Sequence, residues 1–141
     1  MRLVLLENWE PADVLSLEDP SVPDEAEFTK FVVAGLRAAF PQYHCVAFTG
    51  RFMRDEETRR PDLALVARDH SHWFIVEVEL ISHSLPGHVL PQIRTFVFGK
   101  PGPECGRQLA AAVGIEEGQG RTLVDYVPRA VIVVANGRPL D

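Results

Sequence analysis

Pro61–Ile81 (PDLALVARDHSHWFIVEVELI) is two mostly apolar runs interrupted once by the polar run Asp69–His72. Short apolar runs of this kind, bounded by polar residues, mark strands, in which successive side chains point to opposite faces. The stretch therefore predicts two strands joined by a polar turn. Asp62, Ala64 and Val66 share one face of the first strand, and Leu63, Leu65 and Ala67 the other. From the second, Trp73, Ile75, Glu77, Glu79 and Ile81 point one way, and Phe74, Val76, Val78 and Leu80 the other. Both faces are apolar except at one end of one face, as expected for central strands covered on both sides. The exceptions are Asp62, Glu77 and Glu79.

Elsewhere the period changes. Arg2–Leu6 reads as a short strand or extended lead-in, followed by an acidic loop holding Pro11 and Pro20. Ser21, Pro23 and Asp24 signal a helix start, and Phe28, Phe31, Val32, Leu36, Ala39 and Phe40 recur at helical spacing until Pro41. Tyr43–Phe48 alternates as a strand, and Thr49–Arg60 is a polar link. Beyond the loop SHSLPGH, His88–Val97 predicts a helix that tolerates Pro91 in its first turn. Cys105–Val113 predicts another helix, GIEEGQGR a Gly-rich loop, and Arg129–Ala135 an interior strand, while Thr122–Pro128 stays unassigned. The order helix, strand, strand, strand, helix, helix, strand predicts an α/β fold, a mixed central sheet flanked by helices. One domain is expected over residues 21–135, with an extended acidic segment before it (1–20) and a tail after it (136–141).

Composition narrows the class. The chain has 141 residues, 46% apolar and 24% charged, which suits one globular domain. No apolar run approaches a membrane span and no signal peptide opens the chain, so a cytoplasmic protein without a membrane partner is expected. Cys45 and Cys105 have no zinc-type spacing and read as reduced structural thiols. The net charge of −6 argues against a nucleic-acid partner until it is located. Glu7, Glu10, Asp13, Glu18, Asp19, Asp24, Glu25 and Glu27 face only Arg2 in residues 1–27. The remainder is close to neutral, so nucleic acid is not excluded.

The candidate chemistry sits in the paired strands. Between Val66 and Ile81 the one Lys or Arg is Arg68, at the far end of its strand. If Asp62 faces Glu77 or Glu79 across the hairpin, three carboxylates meet on a covered face, where they repel and lose hydration. That register is adopted because it groups the acids. A divalent ion relieves both problems, and oxygen ligands suit Mg2+ or Mn2+. A strand end protruding into water would instead leave the acids solvated. Arg51, Arg54, Arg59 and Arg60 in the polar link could grip phosphates beside the site, or remain a solvated charge-mixed loop. His70 and His72 form an HxH pair but read as exposed polar residues of the turn, and His83 and His88 as loop residues within reach of a proton-shuttle role.

Pro61-Asp62 followed by Glu77-Val78-Glu79 resembles the PD-(D/E)XK nuclease superfamily, with its restriction endonuclease-like αβββαβ core. The resemblance covers Asp24 to Ala135. It implies that Asp62 and Glu77 are metal ligands, that the Val78 carbonyl contributes, and that a helix-one acid joins them, Glu27 first and Glu25 second. Gln92-Ile-Arg-Thr-Phe96 is similar to the Q-x-x-x-Y motif of RecB-type nucleases, with Phe for Tyr. The family usually places Lys where this chain has Glu79, although some restriction endonucleases of the fold use E-x-E. The implied activity is Mg2+- or Mn2+-dependent phosphodiester hydrolysis of nucleic acid, DNA by expectation. Glu79 would serve as general base or water-positioning group, and Gln92 would position the phosphate or the water. Arg60, Arg94 and Lys30 would supply the missing positive charge, and His88 is the better placed of the two loop histidines because it opens the helix carrying Gln92. Cutting both strands of a duplex together would take a homodimer or larger complex. Two other classes fit the same chain: a degenerate nuclease fold that only binds protein or DNA, and an oligomeric accessory protein docking through its acidic N-terminal segment.

Overall fold

Phe28, Val32 and Leu36 recur every four residues and are all buried, which makes Glu25–Ala39 an amphipathic helix, α1. Glu25 and Glu27 occupy its first turn and Arg37 its last, the ends at which the helix dipole favours each charge. The computed structural model describes residues 2–7, 10–16, 25–79, 87 and 89–135. The helix-start signals at Ser21, Pro23 and Asp24, the loop residues His83 and His88, and the tail at 136–141 lie outside the described residues.

A six-stranded sheet forms the middle layer. Its order is β2 (Glu10–Ser16), β1 (Arg2–Glu7), β9 (Arg129–Ala135), β7 (Trp73–Glu79), β6 (Leu63–Ala67), β3 (Tyr43–Ala47). Strands β7 and β9 run parallel, and the other neighbours are antiparallel. The fold is therefore mixed α/β, with four helices among the described residues.

Alternation sorts the core into two halves. Leu63, Leu65, Val76, Val78, Ile132 and Val134 pack on α1. Ala64, Val66, Trp73, Ile75, Val131 and Val133 pack on the other side, against α2 (Leu90–Phe98), α3 (Cys105–Val113) and α4 (Glu117–Tyr126). Strands β6 and β9 are apolar on both faces because helices cover both. Burying a large side chain such as Trp73 or Phe28 contributes about 1.5–3 kcal/mol. Trp73 also ties β7 to α4, donating its indole N–H to the Leu123 carbonyl at 3.0 Å.

Three segments differ from expectation. The acidic loop after Leu6 includes a strand, β2, paired with β1. Pro11 is tolerated because β2 is an edge strand and the register slips between Leu5 and Leu6, at a bulge. The polar link contains a hairpin, β4 (Phe52–Arg54) and β5 (Glu57–Arg59), which β8 (Lys100–Pro101) extends to three strands. Fully buried Phe52 anchors it, and Asp55 takes the left-handed conformation at its turn (φ 54°). The Gly-rich run and part of the unassigned stretch form α4. A capping box between Glu116 and Gln119 starts that helix, satisfying amides that composition alone would leave open. A Cβ on Gly120 would collide with the Gly106 carbonyl, so glycine there is what lets α3 and α4 touch.

Arg129 opens β9 and binds the far end of α2. Its guanidinium donates to the carbonyls of Phe96 at 2.9 Å and Gly99 at 3.0 Å, and lies 5.0 Å from the centre of the Phe52 ring. The cation thus caps carbonyls that the helix end leaves open, while burial pulls its pKa down.

Candidate functional site

The β6–β7 ladder pairs Leu63 with Val76, and one residue further along that register Asp62 stands opposite Glu77. The Asp62 N–H donates to the Val76 carbonyl at 3.3 Å. Where the backbone ladder runs out, the side chain takes over: the Val78 N–H donates to Asp62 Oδ2 at 2.8 Å. Asp62 is half-buried, and Glu77 and Glu79 are 4% and 7% exposed. The grouping of acids expected from alternation is present for Asp62 and Glu77, on the sheet face that α2 covers.

Burial is the leading reason that both carboxyls resist ionisation. Glu77 is pushed up to about 9 by desolvation first, and then by the charges of Asp62 and Glu79. Asp62 is pushed up to about 6 by desolvation; the Val78 amide pulls it back, and the charges of Glu25 and Glu79 raise it. Glu77 Oε1 is buried and has no hydrogen-bond partner among the described residues. A buried acceptor without a donor costs about 1–3 kcal/mol. Such a position calls for a proton or a cation.

Of the helix-one acids, Glu25 is the one whose charge raises both Asp62 and Glu77. Glu27, the first choice from sequence, is exposed and stands 3.5 Å from Lys30, itself 77% exposed. Arg60 donates to the Thr49 carbonyl at 3.1 Å, and Arg94 is exposed on α2. Gln92 is half-buried in the first turn of α2. Val78 spends its amide on Asp62 and pairs with Val134 in the parallel ladder. His88 is outside the described residues.

His72 corrects the reading of the turn histidines as exposed: both His70 and His72 are half-buried. His72 Nε2 pairs with the Tyr43 hydroxyl and Nδ1 with Ser71 Oγ at 2.8 Å, and Ser71 donates to Asp69 Oδ1 at 2.7 Å. The chain of contacts tightens the turn, where His70 adopts a left-handed conformation (φ 60°). Cross-strand adjacency of Tyr43 and the turn was the missing signal, since β3 pairs with β6 from Tyr43↔Ala67 onward.

Among the described residues, no group of three or more His, Cys, Asp or Glu side chains is gathered to hold a metal ion. Asp62 and Glu77 offer two carboxylates, one with an orphaned oxygen. That donor set fits Mg2+, which keeps several waters and uses one or two protein carboxylates beside phosphate oxygens. Mn2+ accepts the same ligands. Among the described residues no helix is long and apolar enough to cross a membrane. Comparison with protein-family models, with curated proteins and with solved structures returns no match.

Proposed function

We propose that this chain is a metal-dependent nuclease that hydrolyses phosphodiester bonds, on a restriction endonuclease-like core of the PD-(D/E)XK type. One observation carries the reading: the buried, unpartnered Glu77 Oε1 directly across the hairpin from Asp62. Connectivity supports it. Once β1 and β2, the three-stranded sheet β4–β5–β8 and the helix pair α3–α4 are set aside, α1, β3, β6, β7, α2 and β9 follow the order αβββαβ.

In this reading Asp62 and Glu77 hold Mg2+ or Mn2+, and Glu25 adds negative charge from α1. When bound, the ion supplies Lewis acidity and a more acidic water. Glu79 accepts a proton from the attacking water or orients it. Gln92 positions the scissile phosphate from α2, and Arg60, Arg94 and Lys30 offset the charge of the strand. The substrate is nucleic acid, DNA first, and a homodimer would cut both strands of a duplex.

The test is a cleavage assay with Mg2+ and Mn2+ on single- and double-stranded DNA, beside Glu77→Ala. Expected is metal-dependent cleavage that falls at least about a hundred-fold in the variant. Cleavage that survives unchanged in Glu77→Ala discards these roles. A second reading, a domain of this fold that binds without cutting, is favoured by Glu79 standing where the family has lysine. Calorimetric titration with Mn2+ separates the two: an active site takes up the ion with proton release, and a degenerate one does neither.

A further inference from the structure

We propose that the exposed side of α2 from Arg94 to Phe98, together with Arg54 and Lys100, is a docking track for a single strand of nucleic acid. The inference rests on the nucleic-acid reading above and names how that substrate is held. Phe98 ends α2 with its ring 60% exposed, and the Arg54 guanidinium lies 5.5 Å from the ring centre. Arg94 lies one turn before Phe98 on the same side of the helix and is also exposed. Pairing of Met53 with Lys100 brings that lysine beside the hairpin, where both border a cleft of about 640 Å3 with Arg121 and Asp125.

The hairpin joins this surface to the acids along the chain. Strand β5 packs on α2, and Arg60 and Pro61 connect its last residue, Arg59, to Asp62. Arg59 Nε is buried without a hydrogen-bond partner, although its Nη2 stands 2.8 Å from Glu57. From Arg94 to Phe98 the helix rises about 6 Å, the span of about two stacked nucleotides. Asp125 lines the cleft and the exposed Asp55 and Glu56 follow Arg54 in the hairpin turn, so charge alone is too evenly mixed to hold a polyanion. Stacking on Phe98, with Arg54 on the same ring, must then carry much of the affinity. A base offers its face for stacking only when it is unpaired, which selects a single strand over a duplex.

Fluorescence anisotropy with a labelled oligothymidylate, at low salt and with EDTA, tests this on the whole chain. Phe98→Ala should weaken binding about five-fold or more, and Phe98→Tyr should stay within about two-fold of wild type. Unlabelled duplex of equal length should compete poorly. Equal affinity of wild type and Phe98→Ala, equal competition by duplex, or no binding by wild type would each overturn the track. Cleavage measured in parallel keeps the two readings apart. Phe98-dependent binding without any cleavage supports the track and removes the nuclease, whereas cleavage with Phe98-independent binding does the reverse.

Discussion

Glu77→Gln isolates the energetic claim on which the site depends. Glu77 is held protonated in the fold up to about pH 9, whereas in the unfolded chain it ionises near its ordinary 4.5. Between those values the folded state binds more protons than the unfolded state, so metal-free stability must fall as pH rises. Each pH unit is worth about 1.36 kcal/mol, or about 4 kcal/mol between pH 5 and pH 8. Asp62, raised from 3.8 to about 6, adds a loss that is complete soon above about pH 6. Against a usual stability of about 5–15 kcal/mol, this is a large share. Glutamine mimics the protonated carboxyl and does not titrate. The variant should match wild type near pH 5 and exceed it by about 4 kcal/mol near pH 8. Urea denaturation with EDTA, followed by the emission of buried Trp73, measures it. Millimolar Mg2+ should flatten the wild-type slope, because the ion binds the ionised pair. A wild-type stability independent of pH from 5 to 8, or equal slopes in the two proteins, would refute the reasoning.

The remaining predictions concern what holds the frame around that pair. Arg129→Ala leaves buried carbonyls at the end of α2 without donors and should cost about 3 kcal/mol in urea denaturation. Arg129→Lys should recover less than half of that, because an ammonium cannot reach Phe96 and Gly99 with one planar fork. Gly120→Ala forces α4 off the Gly106 carbonyl and should cost about 2 kcal/mol or more. Gly118→Ala, in the same helix with open space at its Cβ position, should gain about 0.5–1 kcal/mol, and thermal melts of the two variants should move in opposite directions.

Much of the frame was legible because a strand covered on both sides leaves an unbroken apolar run and a helix covered on one side leaves a periodic stripe. Strand β9 and helix α3 fall where the apolar spacing put them, Arg129–Ala135 and Cys105–Val113. The misses share a cause. In β4, β5 and α4 the local composition is polar or Gly-rich, and order comes from distant partners: Phe96 against Phe52, Lys100 pairing with Met53, and Gly106 against Gly120. None of these partners lies within the window that a local pattern spans. Pro11 misled for a related reason, since an edge position and a bulge are properties of the sheet rather than of the segment.

The acid pair and its helix partner mark the same boundary more sharply. Alternation puts Glu77 and Glu79 on one face of their strand and Asp62 on one face of its own. The sequence leaves open the register that groups them, and the β6–β7 ladder is what sets Asp62 opposite Glu77. Choosing between Glu25 and Glu27 needs something different: the phase of α1 relative to a sheet that lies beyond it in sequence. The buried stripe of Phe28, Val32 and Leu36 determines how the helix face meets the sheet, but not which end of the strands its first turn overhangs. Packing determines that, and it brings the charge of Glu25 to bear on Asp62 and Glu77. A charge without an opposing cation in its own segment is therefore visible in a sequence, whereas the element that adds to it is visible only once the layers are assembled.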